Sequence, residues 1–264
     1  MDVVTAIEGG LVVSCQAPEG HPLRDPHTIA LLARCAELGG AAGLRVNGPE
    51  DVRAVKAATD LPLIGLAKVP RPNVRPLITP TFALCESLVR AGADMVALEV
   101  TAEAEPAAGD LPSLVERVWK ELGVPVMADV STAEEGLLAW NRGAALISTT
   151  LSGYTPYTAP AAPAVGDSAT DPALPLRADA ADSASRPGTG SAPRPGVPYE
   201  PDLDLVGQLA ALGVRTVAEG RLRTDAHVAE AFARGAWSVV IGAAITDPLA
   251  LTRHLTAATP RASR

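Results

Sequence analysis

"TFALCESLVRAGADMVALEV", Thr81–Val100, contains the plan of the chain in one pass. Thr81 is a residue type that caps helix N-termini. Behind it Phe82, Cys85, Leu88 and Val89 recur at three- and four-residue spacing, the mark of an amphipathic helix. Gly92 ends that helix, because glycine accepts the left-handed turn that closes a last helical turn. Two residues on, "DMVALEV" is apolar without alternation, bounded, and too short for a helix. That pattern fits a strand covered on both faces.

The unit recurs along the chain. "LVVSC", "AGLRV", "LPLIGLA", "VPVMADV", "ALIST", "RTVAEG" and "WSVVIG" read as further buried parallel strands. Helical patterns lie between them: "DPHTIALLARCAELGG", "PEDVRAVKAAT", "LPSLVERVWKELG", "STAEEGLLAWNRG", "PDLDLVGQLAALG", "TDAHVAEAFARG" and "TDPLALTRHLTAAT". The helix ends share a phrase, "RAGAD", "NRGAA", "ARGAW" and "ELGGA". It repeats with a period of roughly 25–45 residues, one βα unit each. Eight alternating units favour an α/β fold closed into a (β/α)8 TIM barrel over an open doubly wound sheet. Residues 1–264 are then a single barrel domain, with Asp2–Glu8 as a short helix capping its bottom. Ala159–Pro198 interrupts the plan. It consists mainly of Ala, Pro, Gly, Ser and Asp with almost no large apolar side chains, so it cannot offset its ordering entropy. It reads as a flexible insertion in the loop after the sixth strand.

Composition narrows the function classes. Of 264 residues 47% are hydrophobic but only 3% aromatic, so Ala, Val and Leu fill a sizeable core. The net charge of −8 argues against a nucleic-acid binder, yet permits a local positive site for an anionic ligand. Three cysteines without a Cys-x-x-Cys suggest neither a disulfide framework nor a zinc site. The four histidines, His21, His27, His227 and His254, show no metal-ligand spacing. No Gly-x-Gly-x-x-Gly follows a strand, so no nicotinamide cofactor is implied. No apolar run reaches the roughly 18 residues of a membrane span, and the start lacks a basic stretch before an apolar one. A cytoplasmic protein without metal or cofactor is the expectation, and a homodimer is open to it.

In such barrels the active site lies at the C-terminal ends of the strands. The residues there are Gln16, Arg45, Asn47, Lys68, Glu99, Asp129, Thr149, Thr150, Glu219, Arg221 and Gly242. Any one of them reads equally well as a solvated loop residue. Their shared position at one end of otherwise apolar strands favours a site, since the opposite ends are mostly apolar, Gly or Pro. The loops after strands 7 and 8 often hold phosphate in this fold. "AEGR" and "VIGAAI" place Gly220, Arg221, Gly242 and Ala243 there.

Taken together, "VVSCQA", "RDP", "GGAAGLRVNGPEDVRAVK", "LPLIGLAK", "ITPT", "AGADMVAL", "MADVSTAEEGL", "STTLSGYTPYT", "VAEGR" and "VVIGAAITDP" resemble the N-acetylmannosamine-6-phosphate 2-epimerase family of sialic acid breakdown. The resemblance covers the chain outside Ala159–Pro198 and implies the same barrel. It implies that Lys68 and Glu219 are catalytic and that Gln16, Arg45 and Asp129 contact substrate. It also implies that Gly220, Arg221, Gly242 and Ala243 hold the sugar phosphate. Three features depart from the family pattern. "VPRPNVRPL" replaces an acidic, tyrosine-containing loop after Lys68, Glu99 replaces an aspartate, and Glu103 replaces an arginine.

The implied reaction inverts C2 of an N-acylhexosamine 6-phosphate by deprotonation and reprotonation. A lysine serves as base when burial or neighbouring cations lower its pKa. Arg45 is a neighbour suited to that, and with Gln16 to stabilising an oxyanion. Two other readings stand beside this one: a Schiff-base aldolase-like enzyme using Lys68, and a non-catalytic sugar-phosphate-binding regulatory barrel.

Overall fold

The computed structural model describes residues 2–104, 110–159, 200–257 and 259. In chain order its strands are β1 (Leu11–Cys15), β2 (Gly43–Asn47), β3 (Leu63–Leu66), β4 (Lys68–Arg71), β5 (Val74–Ile78), β6 (Met95–Glu99), β7 (Val126–Asp129), β8 (Leu146–Ser148), β9 (Thr216–Glu219) and β10 (Ser238–Ile241). β1, β2, β3, β6, β7, β8, β9 and β10 pair in that order, all parallel, and β10 returns to β1. The sheet is a closed barrel with no free edge, the (β/α)8 form expected from the repeated unit.

The described helices are α1 (Val3–Ala6), α2 (Pro26–Leu38), α3 (Pro49–Lys56), α4 (Phe82–Ala91), α5 (Leu111–Arg117), α6 (Ala133–Asn141), α7 (Leu203–Ala211), α8 (Asp225–Ala233), α9 (Ala243–Thr246) and α10 (Pro248–Ala257). Their starts are set by side-chain caps. Asp25, Thr81, Thr132, Asp202 and Thr224 each accept an N–H from the third residue of the following helix. At Thr132 the Glu135 side chain bonds back, completing a capping box. The stop at Gly92 is the left-handed one, with φ 110. Two residues later the Asp94 N–H donates to the Leu63 carbonyl at 2.9 Å, and β6 begins at the next residue.

Strand alternation sorts the side chains. Along β6 and β7, Val96, Leu98, Val126 and Ala128 face the helices, while Met95, Ala97 and Met127 face the barrel interior. Val12, Ile64, Leu146, Val217 and Val240 join the interior set. α1 seals the bottom, as expected: Val3, Val4 and Ile7 pack onto that plug, and the Trp237 indole donates to the Val4 carbonyl at 2.9 Å. Ile7 is fully buried, and burial of such a side chain is worth about 1.5–3 kcal/mol.

Three local features differ from the sequence reading. "VPRPNVRPL", read as a loop, forms most of the antiparallel hairpin β4–β5, which turns at Asn73 with φ 59. The helix expected over "LPSLVERVWKELG" widens after α5 into a π turn at Val118–Leu122. A short extra helix, α9, precedes the one expected from "TDPLALTRHLTAAT". The insertion Ala159–Pro198 lies outside the described residues apart from Ala159. Its two stems are joined: Ser152 Oγ donates to Asp202 Oδ2 at 2.5 Å. Among the described residues, no helix is long and apolar enough to cross a membrane.

Candidate active site

The alternation that fills the barrel also builds the site. Two residues above the last interior apolar position of several strands the same face is polar: Ser14 above Val12, Ser148 above Leu146 and Glu219 above Val217. Asp129 stands in the same relation to Met127, Lys68 to Leu66 and Glu99 to Ala97. Arg45 occupies the corresponding place on β2. An apolar plug thus supports a polar layer at the C-terminal mouth.

At its centre Arg45, only 2% exposed, holds two carboxylates. Nη1 donates to Glu219 Oε1 at 2.7 Å and Nη2 to Asp129 Oδ2 at 2.5 Å. Hydroxyls complete the cage. Thr150 Oγ1 reaches Asp129 Oδ1 at 2.8 Å and Glu219 Oε2 at 2.9 Å, and Ser148 Oγ donates to Glu219 Oε2 at 3.2 Å. The Thr149 hydroxyl accepts the Glu219 N–H and donates to its carbonyl, fixing the backbone of the acid. One guanidinium charge cannot neutralise two carboxylates. Burial, with the nearby Glu219 carboxylate, pushes Asp129 up to about 7 against the pull of Arg45.

Lys68 enters this layer from the end of β3, where its own N–H is held by Asn47 Oδ1 at 2.8 Å. Its amine makes none of the ion pairs among the described residues. The residue is open to solvent from the barrel mouth, yet the surrounding walls penalise a charge on the amine. This desolvation, helped by Arg45, lowers Lys68 to about 8, against the opposing pull of Glu219 and Asp129. Gln16 lies beside the layer, its amide donating to Ser14 Oγ at 2.7 Å while its Oε1 is buried without a partner. Arg45 Nε is likewise buried and unpaired. Both are buried polar atoms without a protein partner among the described residues.

The structure disposes the other expected residues differently. Glu99, the register partner of Asp129, turns from the centre to Arg75, where it is fully engaged. Arg221 has φ 61, and its guanidinium is committed to the backbone: Nε to the Glu200 carbonyl at 2.7 Å and Nη1 to that of Ser152 at 2.8 Å. It also lies over the Tyr154 ring at 5.2 Å. Gly220, with φ 107, and Gly242 end β9 and β10. A Cβ on Gly242 would meet that of Ser14 at 3.4 Å. Exposed Ala243 and Ala244 begin α9, where leading amides lack an intrahelical acceptor. Ser14 and Ser148 were missed by reading strand tips alone. The two-residue period, carried one step past each apolar position, finds both.

The chain matches the family model described as "Putative N-acetylmannosamine-6-phosphate epimerase" over residues 29–167 and 190–260. It is 37% identical over 256 residues to a protein of Caldanaerobacter subterraneus subsp. tengcongensis named "Putative N-acetylmannosamine-6-phosphate 2-epimerase", covering 96% of this chain and 92% of that one. A protein of the same name from Yersinia pseudotuberculosis is 37% identical over 240 residues, 91% of this chain and 85% of the relative. Among solved structures, the N-acetylmannosamine-6-phosphate 2-epimerase of Clostridium perfringens superposes with a TM-score of 0.76 at 30% identity, over 97% of this chain and 96% of that one. A thiamine phosphate pyrophosphorylase from Pyrococcus furiosus shares the fold alone, with a TM-score of 0.55 at 14% identity. The polar layer on its barrel and these matches along most of its length lead to one conclusion: the chain belongs to the N-acetylmannosamine-6-phosphate 2-epimerase family.

Proposed function

We infer that this protein interconverts N-acetylmannosamine 6-phosphate and N-acetylglucosamine 6-phosphate by moving the proton on C2. The observation that carries the reading is an unpaired amine, Lys68, lowered to about 8 and facing two carboxylates that share one arginine. The C2 proton is acidic only in the open-chain aldehyde. Neutral Lys68 takes it; the electron pair moves into the C1–C2 bond, and negative charge gathers on the aldehyde oxygen. The unpaired N–H on Arg45 Nε and the second N–H of Gln16 Nε2, whose first is given to Ser14, suit stabilisation of that oxygen. A proton then returns to the opposite face of C2 from the carboxylic acid side of the site, where Asp129, raised to about 7, shares Arg45 and Thr150 with Glu219. Exchange with solvent resets both groups. Gly220, Arg221, Gly242 and Ala243 are proposed to hold the 6-phosphate.

Family membership favours this reading over a Schiff-base lyase or a silent sugar-phosphate binder. The test is NMR of N-acetylmannosamine 6-phosphate with the protein in deuterium oxide. Solvent deuterium at C2 together with the gluco epimer is the expected result. A borohydride-trapped adduct on Lys68, or the absence of exchange, overturns it. The cytoplasm is the proposed site of action, since an ionised sugar phosphate does not cross membranes unaided. A homodimer is proposed too, to be read by sedimentation. α10 supports it, burying no residue and exposing Leu251 and Leu255.

A further inference from the structure

The hairpin that opens with Lys68 has few apolar anchors. β4 is exposed or half-exposed along its length, and of the apolar residues in β5 only Leu77 and Ile78 are buried. Its attachment to the barrel is largely ionic. Arg75 grips Glu99 with two parallel bonds, Nη1 to Oε2 at 2.9 Å and Nη2 to Oε1 at 2.5 Å. Glu99, 1% exposed at the tip of β6, also accepts the Ile78 N–H at 3.2 Å and the Thr101 hydroxyl at 2.5 Å. Glu103 takes Arg75 Nε at 3.0 Å, Arg75 Nη2 at 2.7 Å and Arg71 Nη2 at 3.0 Å. The arginines of the hairpin thus meet Glu99 at the tip of β6 and Glu103 just beyond it.

This cluster acts next to Lys68. Ile78, held by Glu99, is the register partner of Lys68 across the hairpin. At the neck, Thr79 sits at φ 49, a conformation that a β-branched residue adopts only under constraint. It exchanges bonds with Ala67, N–H to carbonyl at 2.8 Å and hydroxyl from N–H at 2.9 Å, and donates to the Ala97 carbonyl at 2.7 Å. The backbone around Lys68 is thus fixed on both strands.

We propose that Glu99 and Arg75 are positioning residues: their ion pair clamps the β4–β5 hairpin to the barrel and holds the Lys68 amine beside Arg45, Asp129 and Glu219, toward the reacting carbon. The role in catalysis rests on the epimerase reading; the clamp itself does not. The charged groups that face Lys68 are Arg45 on β2, Asp129 on β7 and Glu219 on β9. Glu99 is spent on Arg75 instead. The sign of the response therefore separates the clamp from simple charge. Loss of a carboxylate acting through space lowers an amine's pKa. Release of the hairpin takes the amine away from Arg45 and the walls of the site and raises it toward the ordinary value of about 10.4.

The experiment uses Glu99→Gln, Arg75→Gln and the double variant in the full chain. Lys68 is titrated directly, from the pH dependence of its acetylation by acetic anhydride read by peptide mass spectrometry. Kinetics with N-acetylmannosamine 6-phosphate are measured alongside, well below each melting temperature. Both single variants should raise the Lys68 pKa by about one unit or more, as the amine loses its fixed place beside Arg45 and the site walls. They should lower kcat on the order of 10- to 100-fold with KM within about threefold, as for misplacement of a reacting group. The double variant should be no worse than the poorer single, because the two act as one unit. An unchanged or lowered Lys68 pKa overturns the proposal, and so does a loss of melting temperature with kcat intact. If Glu99→Gln does not fold, Arg75→Lys, which keeps the charge but loses the fork, is read in the same way. A wild-type protein without epimerase activity sinks the functional reading alone, because the labelling still reports the clamp.

Discussion

Lys68 stands where the chemistry of the site conflicts with the stability of the fold. Its folded pKa of about 8 lies below the ordinary value of about 10.4. Between those values the unfolded chain binds more protons at this position than the folded one, so its contribution to stability rises with pH. That contribution is present above the unfolded value and is lost as pH falls through about 8. Lys68→Met should therefore raise the melting temperature at pH 6–7, and the gain should fade by about pH 10–11, where wild-type lysine is neutral in both states. The same variant should lose essentially all epimerisation. In the wild type, kcat/KM should follow a bell with its maximum between about 7 and 8, since Lys68 must be neutral while the carboxyl acid keeps its proton. A profile flat from pH 6 to 9 would remove Lys68 from that role. Arg221 offers a second test. Arg221→Ala removes its bonds to Ser152 and Glu200 and a charge from the proposed phosphate corner. KM should rise on the order of 10- to 100-fold, the scale of about 1.5–3 kcal/mol for a bond to a charged group, with kcat falling less. If only the melting temperature falls, Arg221 fastens loops and does not bind phosphate. Arg45, Lys68, Asp129 and Glu219 were legible in the sequence because each follows an apolar strand at even spacing. The turning of Glu99 toward Arg75 was not, because pairing between a hairpin and a distant loop leaves no periodic trace.

Among the elements, those with a regular period and a cap could be read directly, and α2, α4, α6, α7 and α8 fall within their sequence patterns. The β4–β5 hairpin could not. Pro70, Pro72 and Pro76 read as loop, yet a two-stranded ribbon tolerates proline wherever the missing N–H would face outward. The π turn after α5 was equally hidden, since one widened turn leaves the apolar spacing almost unchanged. α6 carries its own lesson at Gly136. Alanine in place of a helical glycine ordinarily stabilises by up to about 1 kcal/mol. Here a Cβ would lie 2.7 Å from Leu209 Cδ2 on α7 and 3.2 Å from Ile147 Cγ2 on β8. Gly136→Ala should thus destabilise by about 1–3 kcal/mol through overpacking. Urea unfolding measures it; a gain in midpoint would show that α6 shifts at little cost.

For the whole molecule, the sequence disclosed the closed barrel because every βα unit repeats one bounded pattern and none is missing. The plug of interior side chains was foreseeable from the same period, and α1 from its apolar residues before the first strand. What no local pattern carries is how loops from different units bind one another, as Glu135 does in accepting the Ala102 and Ser131 N–H groups and the Tyr157 hydroxyl. Removal of residues 160–198 behind a short Gly/Ser bridge should change the melting temperature by no more than about 2 °C, given the near absence of core-forming side chains. A large drop in calorimetry would show that the segment packs against the barrel.

The staple formed by Arg221, Ser152, Asp202 and Glu200 has one more consequence. It joins the chain before the insertion to the chain after it by contacts that do not need the intervening peptide. Residues 1–159 bring Arg45, Lys68, Asp129 and Thr150, while residues 200–264 bring Glu219 and the two glycine corners. Neither piece closes a barrel alone, and each supplies the edge strand that the other lacks, β8 against β9 and β1 against β10. Two separately encoded polypeptides cut at this point should find each other and regain activity on mixing, a split enzyme whose halves are each silent.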